Sequence, residues 1–335
     1  MTLQIQYQLA MEDQEKKEIS TKSKFFPHYD DHITRLNTGS LGAVVGSALT
    51  TQRQFQKNFL TDTGPKRYHF TGRLGPEIDE SLREVVSMFV EADSIEDWQK
   101  KWCFVQNATT AAAMVAHHWS KRSMICREIA GNRIVLIITD CIFGPIKRCF
   151  SEHMPQLDVI VLKLLQGEDE TVSIPQSRSE ILSRFERQWS VIEGQIEGCD
   201  VYCCLEYIPC FPCILLPVAH MHERIRRSFP NAHTFVDAAQ AFLHPDFSFA
   251  DEFGGPDFAV VNLYKWNFAP VGVSLLHVGE EGVSHVIPSW GGDIRQGGWY
   301  TGLRDYSAYV AVKHAMSVSQ QYKSKNFTIK FFKYQ

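Results

Sequence analysis

A lysine and an aspartate each follow directly on an apolar run, and both side chains could take part in catalysis. Lys265 comes after FAVVNLY, so its amine starts from a buried stem. Burial lowers the pKa of a lysine toward the range in which it acts as a nucleophile or base. Asp237 ends the run TFVD and is followed by two alanines, which allow a ligand to approach closely. The alternative for Asp237 is a structural salt bridge to a distant cation.

A polar segment, Asn107-Ala-Thr-Thr110, lies between an apolar run and an alanine-rich stretch that favours helix. The first N–H groups of a helix have no partner within it, and the helix dipole adds a partial positive charge. We therefore expect an anion site here, with additional hydrogen bonds from the hydroxyls of Thr109 and Thr110. The same residue types also fit an ordinary helix N-cap.

The elements that must position these residues are short apolar runs that alternate with helical stretches from about residue 102 onward. Strands are expected at CFVQ, IVLIITD, DVYCCLEYI, TFVD, FAVVNL and GVSLLHV, and a helix with Pro217 at its first position at PVAHMHERIRRSF. This alternation predicts an α/β domain with a mostly parallel sheet and flanking helices. Ligands bind beyond the carboxyl ends of such strands, where all the polar segments, including 140–143, are expected.

Composition excludes several classes of function. The net charge of −4 at pH 7 argues against a nucleic-acid-binding surface, which is usually basic. No window reaches the roughly 18 apolar residues that span a bilayer. The first twenty residues lack the basic and apolar regions of a secretory signal, so we expect a cytosolic protein with no membrane partner.

Five of the nine cysteines lie within positions 199–213, where a metal site is one interpretation. Cys203 and Cys204 are adjacent in an expected strand, so their side chains should point to opposite faces. A second pair at zinc-ribbon spacing is also missing. We therefore favour reduced thiols in the core over zinc and expect no metal.

Combined, these segments describe a site for one cofactor. An anion site, a buried carboxylate and a buried lysine are what pyridoxal phosphate requires for its phosphate, its ring nitrogen and its aldehyde. The chain contains no glycine-rich loop of the Walker or dinucleotide-binding type, which would indicate a nucleotide instead.

Motifs along the chain resemble the class V aminotransferase superfamily. The resemblance is strongest to its isopenicillin-N-epimerase-like branch, with plant-type cysteine desulfhydrases and fungal ergothioneine-pathway C–S lyases. The similar segments run in family order from about residue 36 to 310, and are LNTGSLGAV, NATTAAA, DCIFGPIKR, EYIPCFPCILLPV, VDAAQA, NLYKWNFAPVG and YTGLRDYSAY.

The resemblance implies a role for each site residue. Lys265 would bind pyridoxal phosphate covalently, and Asp237 would keep the ring nitrogen protonated. The other implied contacts are the phosphate with Asn107, Thr109, Thr110 and Tyr264, the ring face with Phe143, the phenolic oxygen with Gln240, and the amino-acid substrate with Asn37.

The family pattern also implies the domain organisation. It predicts an N-terminal arm over 1–62, a large cofactor-binding domain of fold type I over 63–315, and the start of a truncated C-terminal small domain over 316–335. A homodimer is implied, because in the family the block after the lysine reaches the phosphate of the neighbouring subunit. Tyr300, Arg304 and Asp305 are retained in that block, whereas Leu303 replaces the usual threonine.

The implied activity is removal of the α proton of an amino acid followed by C–S β-elimination, as in a cysteine desulfhydrase. Epimerase and aminotransferase activities of the same superfamily are the alternatives. A different class, a degenerate paralogue that binds the cofactor without turnover, is favoured by Leu303 and by the missing C-terminal unit. Glu206, Tyr207 and Cys210 also depart from the usual Asp, His and Ser of the family.

Overall fold

The computed structural model describes residues 24–29, 39–61, 74–88, 101–154, 157–166, 171–241, 243, 247–279 and 304–323. Three residues discussed from the sequence lie outside the described residues. They are Asn37, the implied substrate contact, and Tyr300 and Leu303 of the block after the lysine.

A seven-stranded sheet forms the centre of the described chain, in the order β1-β7-β6-β5-β4-β2-β3. Strands β2 to β6 are parallel to one another, and β7 is antiparallel to both β6 and β1. The predicted mostly parallel sheet is therefore confirmed. The strands are β1 Trp102–Val105, β2 Ile134–Thr139, β3 Asp158–Leu162, β4 Asp200–Glu206, β5 His233–Asp237, β6 Phe258–Asn262 and β7 Ser274–Val278.

Helices cover both faces of the sheet, as parallel strands require. One of them begins one residue later than the sequence predicts, because Pro217 caps it and Val218 is its first residue. The helices are α1 Gly46–Thr61, α2 Gly75–Val86, α3 Ala108–Ala130, α4 Gly144–His153, α5 Arg178–Gln195, α6 Val218–Ser228, α7 Phe249–Phe253, α8 Leu263–Trp266 and α9 Ser307–Lys323. None of the helices within the described ranges is both long and apolar enough to cross a membrane.

Two hydrophobic cores, one on each face, explain why the central strands are buried along almost their whole length. Cys203 packs into one core and Cys204 into the other, which confirms their opposite orientation. Trp119 of α3 and Phe150 of α4 fill the smaller core, with their ring centroids 5.1 Å apart. Every residue of β2 is buried. Packing on both faces therefore fixes the position of the strand end from which a polar segment begins.

The cysteine cluster divides between core and surface. Cys203 and Cys204 are fully buried, whereas Cys210 and Cys213 are exposed. The prediction of core thiols is thus wrong for Cys210 and Cys213, since the chain leaves β4 at Glu206 before it reaches them. Among the described residues, no group of three or more His, Cys, Asp or Glu side chains is arranged to hold a metal.

Candidate active site

A pocket of about 450 Å³ opens at the carboxyl ends of the parallel strands. The pocket is formed by the start of α3, the start of α4, the ends of β4, β5 and β6, and Gly39 and Ser40 of the N-terminal loop. It is lined by Gly39, Ser40, Asn107, Ala108, Thr109, Thr110, Phe143, Glu206, Ile208, Cys210, Asp237, Ala239, Gln240, Asn262, Tyr264 and Lys265. The structure therefore brings together all of the predicted site residues that it describes.

Lys265 lies on the short helix α8, which begins directly after β6. The side chain is only 9% exposed although it lines the pocket. Burial lowers the pKa of its amine, and the negative charges that Cys210, Asp237 and Glu206 can carry partly oppose this shift. A larger share of the amine is therefore neutral at physiological pH than in an exposed lysine, and the neutral amine is the form that attacks carbonyl groups or accepts protons.

Asp237 is the last residue of β5 and is 5% exposed. Its Oδ1 accepts a hydrogen bond from the N–H of Ala239 at 3.0 Å. Burial raises the pKa of the Asp237 carboxyl, while the Ala239 N–H and the charge of Lys265 lower it. A buried carboxyl of this kind gains most from a cationic group brought into the pocket, such as a protonated ring nitrogen.

The start of α3 fits both interpretations of its sequence, a helix N-cap and an anion site. Asn107 caps the helix, because its Oδ1 accepts the N–H of Thr110 at 2.8 Å and the Thr110 hydroxyl at 3.1 Å. The N–H of Ala108 donates to Asn262 Oδ1 at 3.0 Å. Within the described part of the chain, no hydrogen bond uses the N–H or hydroxyl of Thr109. Thr109 thus offers the donors for an anion, and Thr110 would first have to release Asn107.

Gln240 connects the pocket to the N-terminal loop. Its Nε2 donates to the carbonyl oxygen of Gly39 at 3.0 Å and to Cys210 Sγ at 3.4 Å. Its Oε1 accepts a hydrogen bond from Trp266 Nε1 at 2.9 Å. A bond from Gln240 to a cofactor oxygen, as the resemblance implies, would therefore replace one of these contacts.

Phe143 and Asp140 leave the end of β2 in different directions. The ring of Phe143 lines the pocket and is 44% exposed, so it offers a free aromatic face. Asp140 instead accepts the N–H groups of Leu164 at 3.0 Å and Leu165 at 2.9 Å. Asp140 is therefore used to hold the loop after β3, and it does not line the pocket.

The block that the family resemblance links to a neighbouring subunit packs within this chain where it is described. The guanidinium of Arg304 lies 4.7 Å from the ring centroid of Tyr306 and 4.9 Å from that of Tyr309, and it donates to the Tyr309 hydroxyl. Asp305 accepts the N–H of Ser307 at 2.8 Å, which caps α9.

Asn262, Glu206 and Cys210 line the pocket without having been assigned a role from the sequence. Asn262 accepts from Ala108 N and from Ser274 Oγ, at 3.0 and 2.6 Å, and so links the lysine-bearing segment to the start of α3. In the sequence, the signal for Asn262 was its position as a polar residue at the end of an otherwise apolar strand. Such a residue indicates a strand end, but it does not reveal its partners.

Gly42 sets the distance between the N-terminal loop and α8. Its N–H donates to the carbonyl oxygen of Tyr264 at 3.1 Å, and a Cβ at this position would lie 1.8 Å from the carbonyl oxygen of Lys265. Both atoms are backbone, so neither can turn away as a side chain could. A residue with a side chain would fit here only if the N-terminal loop or α8 moved.

We expect Gly42→Ala to lower the free energy of unfolding by about 1–3 kcal/mol, because the loop must separate from α8. Urea unfolding of the two proteins would measure this. Gly194→Ala is the matched control, since an added Cβ there meets no atom within 4 Å and alanine favours helix. Equal stability losses in the two variants would contradict the close approach at Gly42.

Curated plant proteins are similar to most of the chain, although no protein-family model matches it. The L-cysteine desulfhydrase of Arabidopsis thaliana is 26% identical over 308 residues, which are 89% of this chain and 63% of the relative. A probable chloroplastic L-cysteine desulfhydrase of the same plant is 28% identical over 299 residues, or 86% and 58% of the two chains. The chain spans about three fifths of the length of these relatives.

Solved structures share the fold at low sequence identity. C-DES with glycine covalently linked to its PLP cofactor matches with a TM-score of 0.65 at 15% identity, over 90% of this chain and 74% of that chain. Apo cysteine desulfurase from Thermococcus onnurineus matches with a TM-score of 0.61 at 14% identity, over 90% and 71%. The predicted fold type I architecture is thus confirmed, and the similarity to plant cysteine desulfhydrases that the motifs indicated extends over most of the chain.

Proposed function

We propose that this chain binds pyridoxal phosphate covalently through Lys265 and catalyses C–S β-elimination on cysteine or a related amino acid. The observation that carries the proposal is the convergence of buried Lys265, buried Asp237 and the start of α3 on one pocket. The plant relatives named L-cysteine desulfhydrase favour a lyase over an epimerase or an aminotransferase.

The residues of the pocket fit the chemistry of this cofactor. The phosphate would be held by Thr109 and the positive end of α3. The ring would lie against the free face of Phe143, with its nitrogen at Asp237. The aldehyde would react with the amine of Lys265. Pyridoxal phosphate supplies an electron sink for the negative charge that develops on the α carbon of an amino acid.

The protein groups would divide the work of the reaction. Asp237, as a carboxylate, would keep the ring nitrogen protonated, which is needed for the ring to accept electrons. Lys265 would take the α proton of the substrate once its amine is no longer bonded to the cofactor, since its lowered pKa favours the neutral amine. The sulfur at the β carbon would then leave with the electrons of the broken C–S bond.

Incubation of the purified full chain with L-cysteine tests this proposal. We expect pyruvate, ammonia and sulfide in equal amounts, released at least about 10²–10⁴-fold more slowly by Lys265→Ala. Chiral analysis of the remaining cysteine and addition of a keto acid distinguish the epimerase and aminotransferase alternatives. Visible cofactor absorbance without any product from cysteine or cysteine conjugates would instead support a non-catalytic pyridoxal-phosphate-binding protein.

We also propose a homodimer in the cytosol, as the superfamily resemblance implies. The dimer proposal rests on the resemblance of the block around Arg304 to the corresponding block of the family. Sedimentation equilibrium of the full chain loaded with cofactor would measure its mass, and a monomer would contradict the dimer. Fractionation of the source cells would test the location, since one of the plant relatives is named chloroplastic.

A further inference from the structure

Glu206 carries an unpaired carboxyl oxygen at the side of the pocket. It is the last residue of β4, it lines the pocket and it is only 2% exposed. Its Oε1 accepts the backbone N–H of Phe143 at 2.9 Å. Its Oε2 is buried and accepts no N–H or O–H group of the described residues, and the Cys141 thiol acts on the carboxyl as a weak further donor. A charged oxygen in that position would be costly, so it needs either a proton or a ligand.

The neighbourhood of Glu206 favours the proton. The parallel pairing of β4 and β5 places Glu206 directly beside Asp237, so two carboxyl groups share one buried site. Burial, followed by the charge of Asp237, raises the pKa of Glu206 to about 8, and the Phe143 N–H, Cys141 and the charge of Lys265 act in the opposite direction. Both carboxyls receive one backbone N–H and the field of Lys265, but Glu206 has a buried oxygen without an N–H or O–H partner among the described residues and Asp237 does not. Asp237 is therefore the better anion of the two.

We propose that Glu206 is a positioning residue of the cofactor pocket: as a neutral acid it holds Phe143 through Oε1 and leaves the negative charge to Asp237. This rests on the proposed function, since the ring would lie between Phe143 and these acids. Ionisation of Glu206 would add a second buried negative charge to a pocket that must accept a phosphate. Cofactor binding should then weaken as pH rises through the range in which Glu206 loses its proton.

Glu206→Gln is the informative variant, because glutamine keeps an oxygen for the Phe143 N–H and cannot ionise. The pKa of Glu206 in the folded chain, about 8, lies above the ordinary value of 4.5. The folded state therefore binds the proton more tightly, and the wild type loses stability as pH rises between these values. We expect the difference in melting temperature between Glu206→Gln and the wild type, both measured without cofactor, to increase by several degrees in favour of the variant between about pH 5 and pH 9.

Glu223→Gln is the matched control, since its carboxyl is 66% exposed on α6 and, among the described residues, forms a surface pair with Arg227. Its melting temperature should follow that of the wild type at every pH. A difference between Glu206→Gln and the wild type that does not change with pH would overturn the inference, because Glu206 would then be charged throughout.

Titration with pyridoxal phosphate gives the second measurement. At neutral pH we expect Glu206→Gln to bind within about threefold of the wild type, and Glu206→Ala, which loses the Phe143 contact, about tenfold more weakly. Above about pH 8 the wild type should lose affinity relative to Glu206→Gln. If glutamine weakens binding as much as alanine at neutral pH, the carboxyl charge itself is required and the inference is wrong.

Failure of this inference and failure of the proposed function have different signatures. Wild-type protein that does not bind the cofactor at Lys265 would contradict the proposed function, while the pH-dependent stability without cofactor would still test the protonation of Glu206. If Glu206→Ala does not fold, the melting temperature and cofactor affinity of Glu206→Gln, compared with those of the wild type across pH, decide whether the inference holds.

Discussion

Lys265→Ala should remove the covalent attachment of the cofactor and the visible absorbance band that depends on it, and lower turnover of cysteine by at least about 10²–10⁴-fold. The same side chain is proposed to bind the cofactor and to move the α proton, so one substitution removes both roles. Its burial and its lowered pKa distinguish it from the surface lysines. Absorbance spectra and pyruvate release measure the two effects separately.

Borohydride reduction followed by peptide mapping identifies the lysine that holds the cofactor. The label should lie in the peptide that contains Lys265. Lys163→Ala, at an exposed position after β3, should keep both absorbance and turnover. Recovery of the label on a different lysine would remove Lys265 from its assigned role.

Asp237→Ala should reduce turnover by about 10²–10³-fold while the protein keeps its cofactor, because the phosphate and the aldehyde are held elsewhere. Without the carboxylate the ring nitrogen loses its proton, and the ring becomes a weaker acceptor of electrons. Asp237→Asn should lose a similar amount of turnover, since the amide oxygen can still accept the Ala239 N–H but carries no charge. Steady-state kinetics and visible spectra of both variants provide the test.

Asp257→Asn is the control for the loss of a buried acid. Asp257 is 3% exposed, pairs with Arg226 at 2.6 Å and accepts the N–H of Thr234 at 2.7 Å, outside the pocket. Its loss should lower stability and leave the turnover of the folded protein unchanged. Near-normal turnover in Asp237→Asn would show that the charge at position 237 is not used.

The amino-acid sequence by itself predicted six of the seven strands and the segments that form the pocket, but not the edge strand β3. Strands β2, β4, β5 and β6 are short apolar runs, and a polar residue at the end of such a run is a local feature. The site residues Lys265 and Asp237 were found for this reason, together with the residues of the 107–110 segment. The family resemblance then placed these segments in a common fold.

Only the tertiary structure decided which side chains meet. Glu206 and Asp237 became neighbours because β4 and β5 pair in one particular register, and a shift by one residue would turn either of them away. Asn262 bonds to Ala108 across 154 positions of the chain, and Gln240 bonds to Gly39 across 201. Hydrogen bonds over such separations depend on the order of the strands and on the path of the loops, which no local pattern encodes.

The same reason explains why residue type alone does not decide the position of two other groups. Asp140 follows a strand just as Asp237 does, yet the loop after β3 presents two N–H groups that draw it out of the pocket. Cys210 and Cys213 are apolar enough for a core, yet they follow the end of β4 and become exposed. Residue type and spacing determined which groups reach the end of the sheet, whereas the packing of distant segments decided which of them face the ligand.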